Sequence, residues 1–402
     1  MNNAEYKLSE KRIQLIIWTL LCLMPIIGMT VDLVAPSLPA IDVDLSISNQ
    51  VTKNIISTYL VGYALGNFFT GFLTDALGRQ KLLHLGLFGF ILVSLLPVFF
   101  PHIDILLLAR FLQGVTIGSV AVVARTIFSD ILPQEKLVRL GTVIGTMWGL
   151  GPVIGPVIGG YLQYYLGWKS CFCFFAIITF IAFIVTFIVV PETHFKRHPL
   201  NFKTIKNNFV EVITHKVFMA LVILMGLAYS LIITFSTLGP FLIQSKLGYS
   251  PVFFGHFALC AGLFFLLGTF ICRWLLKKYK VNKIFFIIVN LFFGVSIVAV
   301  VMSYIYATSI VLIAMVSVLM FFVTGNIFPL SMGKGLSLFR HIAGTATATM
   351  YLINILITSL IGFLISFINV ENAISMMWIY LLLMLTCFIV YWSIINWELR
   401  EV

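Results

Sequence analysis

The sequence predicts an all-α membrane protein with twelve transmembrane helices, divided into two halves of six. The chain has 402 residues, of which 61% are hydrophobic and 10% charged, and its mean hydropathy is +1.09. Water-soluble domains carry about 25% charged residues, so the outer surface of this protein must face a bilayer. The apolar runs are roughly 20 residues or longer and show no period-two alternation, which favours helices over a closed barrel.

Twelve apolar runs supply the predicted helices. They cover residues 13–40, 50–74, 81–100, 104–129, 137–164, 168–190, 216–243, 251–274, 283–303, 308–331, 342–368 and 372–396. The longest polar stretch, 191–215, separates the sixth run from the seventh. Equal halves joined by a basic loop are typical of a duplicated transporter. We therefore predict an N-terminal six-helix bundle at 1–195, a cytoplasmic linker at 196–215 and a C-terminal six-helix bundle at 216–402.

The net charge of +11 follows the topology. If both termini are cytoplasmic, twenty of the 25 Lys and Arg residues lie on the cytoplasmic side, three lie on the opposite side (Lys53, Lys169 and Lys246) and two lie inside spans. This bias predicts the orientation of the chain and argues against nucleic-acid binding. The six cysteines all lie in or beside apolar runs and are interpreted as small buried hydrophobes, not as a disulfide or metal framework.

Asp32 is the only carboxylate well inside a predicted span. An ionised side chain at that depth costs roughly 2.5–3.5 kcal/mol on insertion scales, so such a residue usually has a function or a partner. Because burial in an apolar medium favours the neutral form of a carboxyl, Asp32 is our candidate proton carrier and substrate-facing acid. The alternative is a local hydrogen-bonding role, since Pro36 and Pro39 disturb the end of the helix.

Two arginines lie in the fourth span, fifteen residues apart and therefore at different depths. Either of them is able to pair with Asp32, and Arg110 matches its depth better. Arg125 lies towards the cytoplasmic end, where it either lines a cavity or extends to the interface beside Asp130.

The loop between the second and third spans reads Gly71-Phe-Leu-Thr-Asp75-Ala-Leu-Gly78-Arg79-Gln-Lys81. Its glycines permit a tight turn, and Asp75 is able to accept hydrogen bonds from the N-terminus of a neighbouring helix. This spacing resembles the signature of the major facilitator superfamily. The resemblance implies two six-helix bundles that rock about a central cavity, with Gly71, Asp75, Gly78 and Arg79 latching the cytoplasmic side.

The fifth span contains a glycine–proline run. Its members are Gly151, Pro152, Gly155, Pro156, Gly159 and Gly160. Small residues four apart allow another helix to approach closely, and prolines bend the helix that contains them. The run is similar to the pattern associated with antiporters of the superfamily, and this similarity implies export.

Further stretches resemble drug–proton antiporters of the bicyclomycin-resistance type. Residues 32–39 resemble the acidic, proline-bearing end of their first helix, and residues 110–114 resemble the superfamily's fourth-helix motif, whose arginine is implicated in proton transfer. Residues 125–130 also resemble that subfamily, without its usual second basic residue. The resemblance implies multidrug efflux across a bacterial inner membrane, with Asp32 and Arg110 coupling the proton.

Polar side chains in other spans are candidates to line the cavity. They are Tyr59, Tyr63, Asn67, Tyr229, His256, Asn326 and Asn354. The alternative for each is an interhelical hydrogen bond. His256 is the only histidine inside a predicted span, and its side chain is also able to titrate.

Three function classes remain to be separated. One cavity acid beside an apolar lining suits lipophilic neutral or cationic compounds, whereas Arg110, Arg125 and His256 together would form an anion site for a carboxylate metabolite or siderophore, with uptake as one direction. A membrane enzyme would need a cluster of His, Asp or Cys near an interface, and the sequence contains none. We expect a monomer that binds a small-molecule substrate and membrane lipid, with protons as the coupling ion and no cofactor or metal.

Overall fold

A computed structural model of the protein describes residues 9–193, 202–339 and 342–395. In these ranges the chain forms helices joined by short connections, without a β-strand. The α-helices are α1 (Glu10–Met29), α2 (Leu38–Asp44), α3 (Asn49–Leu77), α4 (Arg79–Phe99), α5 (Ile103–Ile131), α6 (Gln134–Leu166), α7 (Lys169–Val189), α8 (Phe202–Thr214), α9 (Lys216–Pro240), α10 (Pro251–Leu276), α11 (Val281–Ile305), α12 (Ile310–Leu338), α13 (Ala343–Ser366) and α14 (Ala373–Val390).

Twelve of the described helices have 18 residues or more and coincide with the twelve predicted spans. Eleven of them are long and apolar enough to cross a membrane by length and composition alone. The twelfth, α3, is more polar because Asn54, Ser57 and Asn67 lie inside it, and all three are at least partly buried against other helices. Large apolar side chains such as Phe187 and Ile188 cover the outside of the bundle, as a lipid-facing surface requires.

The two halves repeat one packing scheme. In the N-terminal half α3 packs on α5, α1 on α6, and α4 on α7; in the C-terminal half α10 packs on α12, α9 on α13, and α11 on α14. Each helix of these pairs becomes its counterpart when its number increases by seven, except that α1 corresponds to α9 because the short helix α2 follows α1 in the numbering. The main contacts between the halves, α3 with α13 and α6 with α10, exchange under the same operation. The fold is therefore two pseudo-symmetric six-helix bundles.

Two elements differ from the prediction. The predicted first span, 13–40, is not continuous: α1 ends at Met29, a turn and a short 3₁₀ segment (Ala35–Ser37) follow, and α2 begins at Leu38. Pro36 has no N–H to continue an α-helix, which accounts for the break. The linker contains a further helix, α8, which packs against α9 and α13. The sequence predicts only a polar linker here, without a helix.

Candidate functional site

Asp32 lies in the break between α1 and α2. Its carbonyl accepts a 3₁₀-type hydrogen bond from the N–H of Ala35 at 3.3 Å, and the side chain is 2% exposed. Irregular backbone at membrane depth is tolerated only where protein buries it or where it lines a cavity. Asp32 therefore faces neither lipid nor bulk water in this structure.

The carboxylate of Asp32 is held on one oxygen. Oδ1 accepts a hydrogen bond from the hydroxyl of Ser236 at 2.7 Å, and Ser236 belongs to α9 in the C-terminal half. Oδ2 is buried and has no hydrogen-bond partner among the described residues. An unsatisfied buried carboxylate oxygen is unfavourable when ionised. A proton or a donor group of a ligand would satisfy it.

Arg110 is fully buried beside this break but does not form an ion pair with Asp32 within the described chain. Both terminal nitrogens of its guanidinium donate to the carbonyl oxygen of Thr30 at 3.1 Å, and Nη1 also donates to Gln113 at 3.0 Å. The guanidinium carbon lies 4.4 Å from the centre of the Tyr59 ring. Arg110 thus satisfies a carbonyl at the end of α1, and the predicted direct pair is replaced by an indirect connection through residues 30–32.

A polar stripe on α3 leads away from Asp32. Tyr59 hydrogen-bonds the hydroxyl of Thr30, and its ring stacks on that of Tyr63 with centroids 6.0 Å apart. Asn67 follows one turn later and donates to the carbonyl of Tyr63 at 2.9 Å. Residues spaced by four lie on one helix face, so the stripe connects the surroundings of Asp32 with those of Asn67.

The stripe ends at Arg125, which donates from Nη2 to Oδ1 of Asn67 at 2.7 Å. Its guanidinium carbon lies 4.5 Å from the centre of the Tyr351 ring on α13, in the opposite half. Arg125 therefore lies between the halves and not beside Asp130, whose carboxylate bonds Arg79 at 3.2 Å and Thr193 at 2.8 Å.

Four candidates for the cavity lining remain. One of them, Tyr229, lies at the interface between the two halves, and the other three lie elsewhere. Tyr229 is buried between the halves, with its ring 6.4 Å from that of Trp148 on α6. Asn326 donates to Phe322 of its own helix at 2.8 Å and packs where α12 meets α10.

Asn354 lies where α13 meets α9, against Gly226. His256 is exposed, and its ring packs edge-on against the ring of Tyr161, which is also exposed. His256 lies on the same exposed, apolar face of α10 as Leu263, seven residues later, so its assignment to the central cavity is wrong.

The glycine–proline run of α6 lies between two helices. A Cβ added at Gly159 would overlap the carbonyl oxygen of Leu33, one residue after Asp32, and a Cβ at Gly151 would overlap the backbone of Gly28 in α1. On the other side, a Cβ at Gly160 would lie 2.6 Å from the carbonyl oxygen of Pro251 in α10.

The other run members follow the same division. Gly155 faces Met29 of α1, Pro152 lies against Gly28, and Pro156 lies against Gly255 of α10. The run thus connects α1, and the break after it that contains Asp32, with the other half.

Hydrogen bonds join the connection between α3 and α4 to the residues that follow α7. Gly78 has a φ of +92°, which favours glycine. The carboxylate of Glu192 accepts from the N–H groups of Arg79 at 3.0 Å and Gln80 at 3.3 Å, and so caps α4. Gly71 faces open space. The side chain of Asp75 lies outside the described residues.

Hydrogen bonds close the end of the bundle that is predicted to face away from the cytoplasm. Lys53, whose side chain is 1% exposed, donates to the carbonyl oxygen of Ile368 at 2.7 Å, and Gln244 donates to that of Pro36 at 3.0 Å. Both bonds join the two halves. Towards the other end, Gly145 of α6 and Gly344 of α13 face open space. The structure is therefore closed at one end of the bundle.

Sequence reasoning missed the partners that complete this site. Ser236 gave no signal, because a single serine in an apolar span is ordinary. Thr30 precedes Asp32 by two residues. Because a helix break caused by Pro36 leaves nearby carbonyl groups without helical hydrogen bonds, the sequence did contain a signal that these carbonyls need other donors. Lys53 was counted for topology, although a lysine four residues inside a helix was a reason to expect a partner.

Comparison with known proteins gives a family and several relatives. A sequence model described as Major Facilitator Superfamily matches residues 20–362. The chain is 25% identical over 372 residues to an uncharacterized transporter of Rickettsia felis, covering 88% of this chain and 90% of that one. It is 25% identical over 268 residues to the multidrug resistance protein MdtL of Shewanella oneidensis, covering 67% of each.

Two other similarities extend this result. The bicyclomycin resistance protein homolog of Haemophilus influenzae is 24% identical over 240 residues, covering 59% of this chain and 60% of that one. A crystal structure of a D-xylose–proton symporter matches with a TM-score of 0.72 at 14% identity, over 94% of this chain and 97% of that one. At that identity the structural likeness shows a common fold.

Proposed function

The chain belongs to the Major Facilitator Superfamily, and from this premise we propose that it is a proton-coupled exporter of small lipophilic compounds that works by alternating access. It is a multi-pass membrane transporter and not an enzyme, and its relatives are bacterial. We further propose that it lies in the inner membrane as a monomer with both termini in the cytoplasm, as the distribution of Lys and Arg predicts.

One observation carries the proposal. Asp32 is buried where the two halves meet, with one oxygen bonded to Ser236 across the boundary and the other without a described partner. When the halves separate at the end that Lys53 and Gln244 close, the hydrogen bond from Ser236 breaks. The carboxylate of Asp32 then becomes accessible from the compartment at that end. A proton and a donor-bearing substrate then compete for the same oxygens, which is the requirement for exchange.

Export of lipophilic neutral or cationic compounds is supported by two further points. The glycine–proline run of α6 resembles that of antiporters, and two of the relatives carry drug-resistance names. With one proton entering per cycle, the membrane potential supplies ~2.3 kcal/mol per 100 mV, in addition to the pH gradient.

The combined anion site of the second hypothesis has less support. The donors of Arg110 are occupied by Thr30 and Gln113, and His256 is exposed on the outside of α10. Arg125 alone remains between the halves. The three groups do not converge on one site.

The test is transport in proteoliposomes under an imposed pH gradient, with matched lipophilic cations and anions as probes. We expect accumulation of the cation against its gradient, collapse of that accumulation with a protonophore, and no accumulation of the anion. Accumulation of the anion alone, or accumulation that does not depend on the pH gradient, would contradict the proposal.

A further inference from the structure

The guanidinium of Arg125 has a donor left over. Nε donates to the carbonyl of Ala121 in its own helix at 3.0 Å, and Nη2 donates to Asn67 at 2.7 Å. Nη1 makes no hydrogen bond within the described residues and is not among their fully buried polar atoms. No described carboxylate lies within 4.0 Å of this side chain.

The two neighbours of Arg125 suit a site that opens and closes. Asn67 is 3% exposed, and its amide is fixed by the carbonyl of Tyr63, so Oδ1 orients the guanidinium. The ring of Tyr351 offers a face, which attracts a cation without fixing its direction. Tyr351 belongs to the other half, so this contact changes when the halves move. Nη1 is then the donor that a ligand between the halves is able to use.

The distance from Arg125 to the surroundings of Asp32 sets the length of a ligand that contacts both. Tyr59 contacts Thr30 near Asp32, and Asn67, eight residues later in α3, contacts Arg125. Eight residues of α-helix rise about 12 Å. Tyr63 lies between them on the same face, with an aromatic ring suited to an apolar body.

We propose that Arg125 is a specificity-determining residue that receives a carboxylate of the transported molecule. The preferred substrates are then amphoteric: a carboxylate at Arg125, an apolar body along Tyr63, and a basic or donor group facing Asp32. This inference rests on the proposed function and narrows its substrate class. A hydrogen bond from the guanidinium to a carboxylate is charge-assisted and stronger than one between neutral groups, and the fixed plane of the guanidinium makes it more directional than one from an ammonium group.

The test compares two rod-shaped probes, an aminomethyl-biphenyl carboxylate and its methyl ester. Initial rates of pH-driven uptake are measured for both in proteoliposomes containing the wild type, Arg125→Gln, Arg125→Lys or Lys136→Gln. Lys136 is exposed at the start of α6, so its variant controls for the loss of one positive charge. The ratio of the two rates cancels differences in the amount of active protein.

We expect the wild type and Lys136→Gln to prefer the free carboxylate by about tenfold, the value of one charge-assisted hydrogen-bonding pair. Arg125→Gln loses that preference while still moving the ester, and Arg125→Lys keeps part of it. An unchanged ratio in Arg125→Gln overturns the inference. If neither glutamine nor lysine variant can be prepared, equal rates for the two probes in the wild type overturn it instead.

The outcome is separable from that of the proposed function. If the wild type moves the ester with the pH gradient but shows no preference, proton-coupled export stands and the role of Arg125 is wrong. If the wild type moves neither probe in response to the gradient, the proposed function fails first.

Discussion

The hydroxyl of Ser236 donates to the carboxylate of Asp32 at 2.7 Å across the boundary between the two six-helix halves. The two residues are 204 positions apart in the chain, and the bond is buried. It makes the state of one carboxylate depend on whether the halves are together. Proton coupling through Asp32 would use this dependence.

Replacing Ser236 by alanine removes the donor without adding bulk. We expect transport to continue with initial rates reduced about three- to tenfold, since a hydrogen bond to a charged group contributes about 1.5–3 kcal/mol and only part of it bears on the rate-limiting step. Ser236→Thr retains a hydroxyl and serves as the matched control. Equal rates for the alanine and threonine variants would show that this bond has no part in the cycle.

Replacing Arg110 by lysine keeps the positive charge but removes the planar guanidinium group with its several N–H donors. The wild-type side chain donates twice to Thr30 and once to Gln113, and one ammonium group cannot reproduce that geometry. We expect the free energy of unfolding to fall by about 1–3 kcal/mol, measured by thermal unfolding in detergent. Arg12→Lys, at the exposed start of α1, is the control. Equal melting temperatures for the two variants would contradict the packing described for Arg110.

Adding a methyl group at Gly159 tests the contact between α6 and α1. A Cβ there overlaps the carbonyl oxygen of Leu33, whereas a Cβ at Gly145 of the same helix meets open space. We expect Gly159→Ala to destabilise the protein and abolish transport, and Gly145→Ala to be neutral or more stable by about 0.5–1 kcal/mol, because glycine lowers helix stability. Stability and transport are compared in the same preparation. Tolerance of alanine at Gly159 would mean that α1 and α6 do not approach this closely.

Replacing Lys53 by methionine removes the hydrogen bond to Ile368 that joins the halves. A lost bond from a charged donor shifts the closed-to-open equilibrium by about 1.5–3 kcal/mol, roughly 10- to 100-fold in population. Spin labels at Asn49 and Asn369, both exposed at this end, report the distance in a background without the six cysteines.

We expect a longer distance to appear in the Lys53→Met distribution. Lys246→Met removes an exposed lysine at the same end and leaves the distribution unchanged. The same distribution in both variants would show that the Lys53 bond does not hold the end closed.

The twelve-helix architecture could be predicted from the sequence, because the length of an apolar run largely determines whether it spans a membrane. Twelve apolar runs and a basic loop sufficed for twelve long helices in two halves. Depth alone singled out Asp32, and the prolines that follow it correctly indicated a disturbed helix. Reading residues 13–40 as one span nevertheless hid the break and, with it, the carbonyl of Thr30 that Arg110 binds.

Other features could not be read from one sequence. A spanning helix is apolar on its lipid face and on its packed face alike, so periodicity did not show that His256 lies on the outer side of α10. The pairing of Ser236 with Asp32 depends on how the halves dock, and no local pattern encodes it. The capping of α4 by Glu192 has the same origin, since those residues are more than a hundred positions apart.

The central claim is that Asp32 carries the coupled proton, and Asp32→Asn tests it most directly. The amide keeps the shape of the side chain and still accepts from Ser236, but it cannot exchange a proton. In proteoliposomes we expect this variant to lose pH-driven accumulation of substrate while retaining exchange of labelled for unlabelled substrate, and Asp104→Asn, at an exposed position, to behave as the wild type. Full pH-driven accumulation by Asp32→Asn would contradict the account.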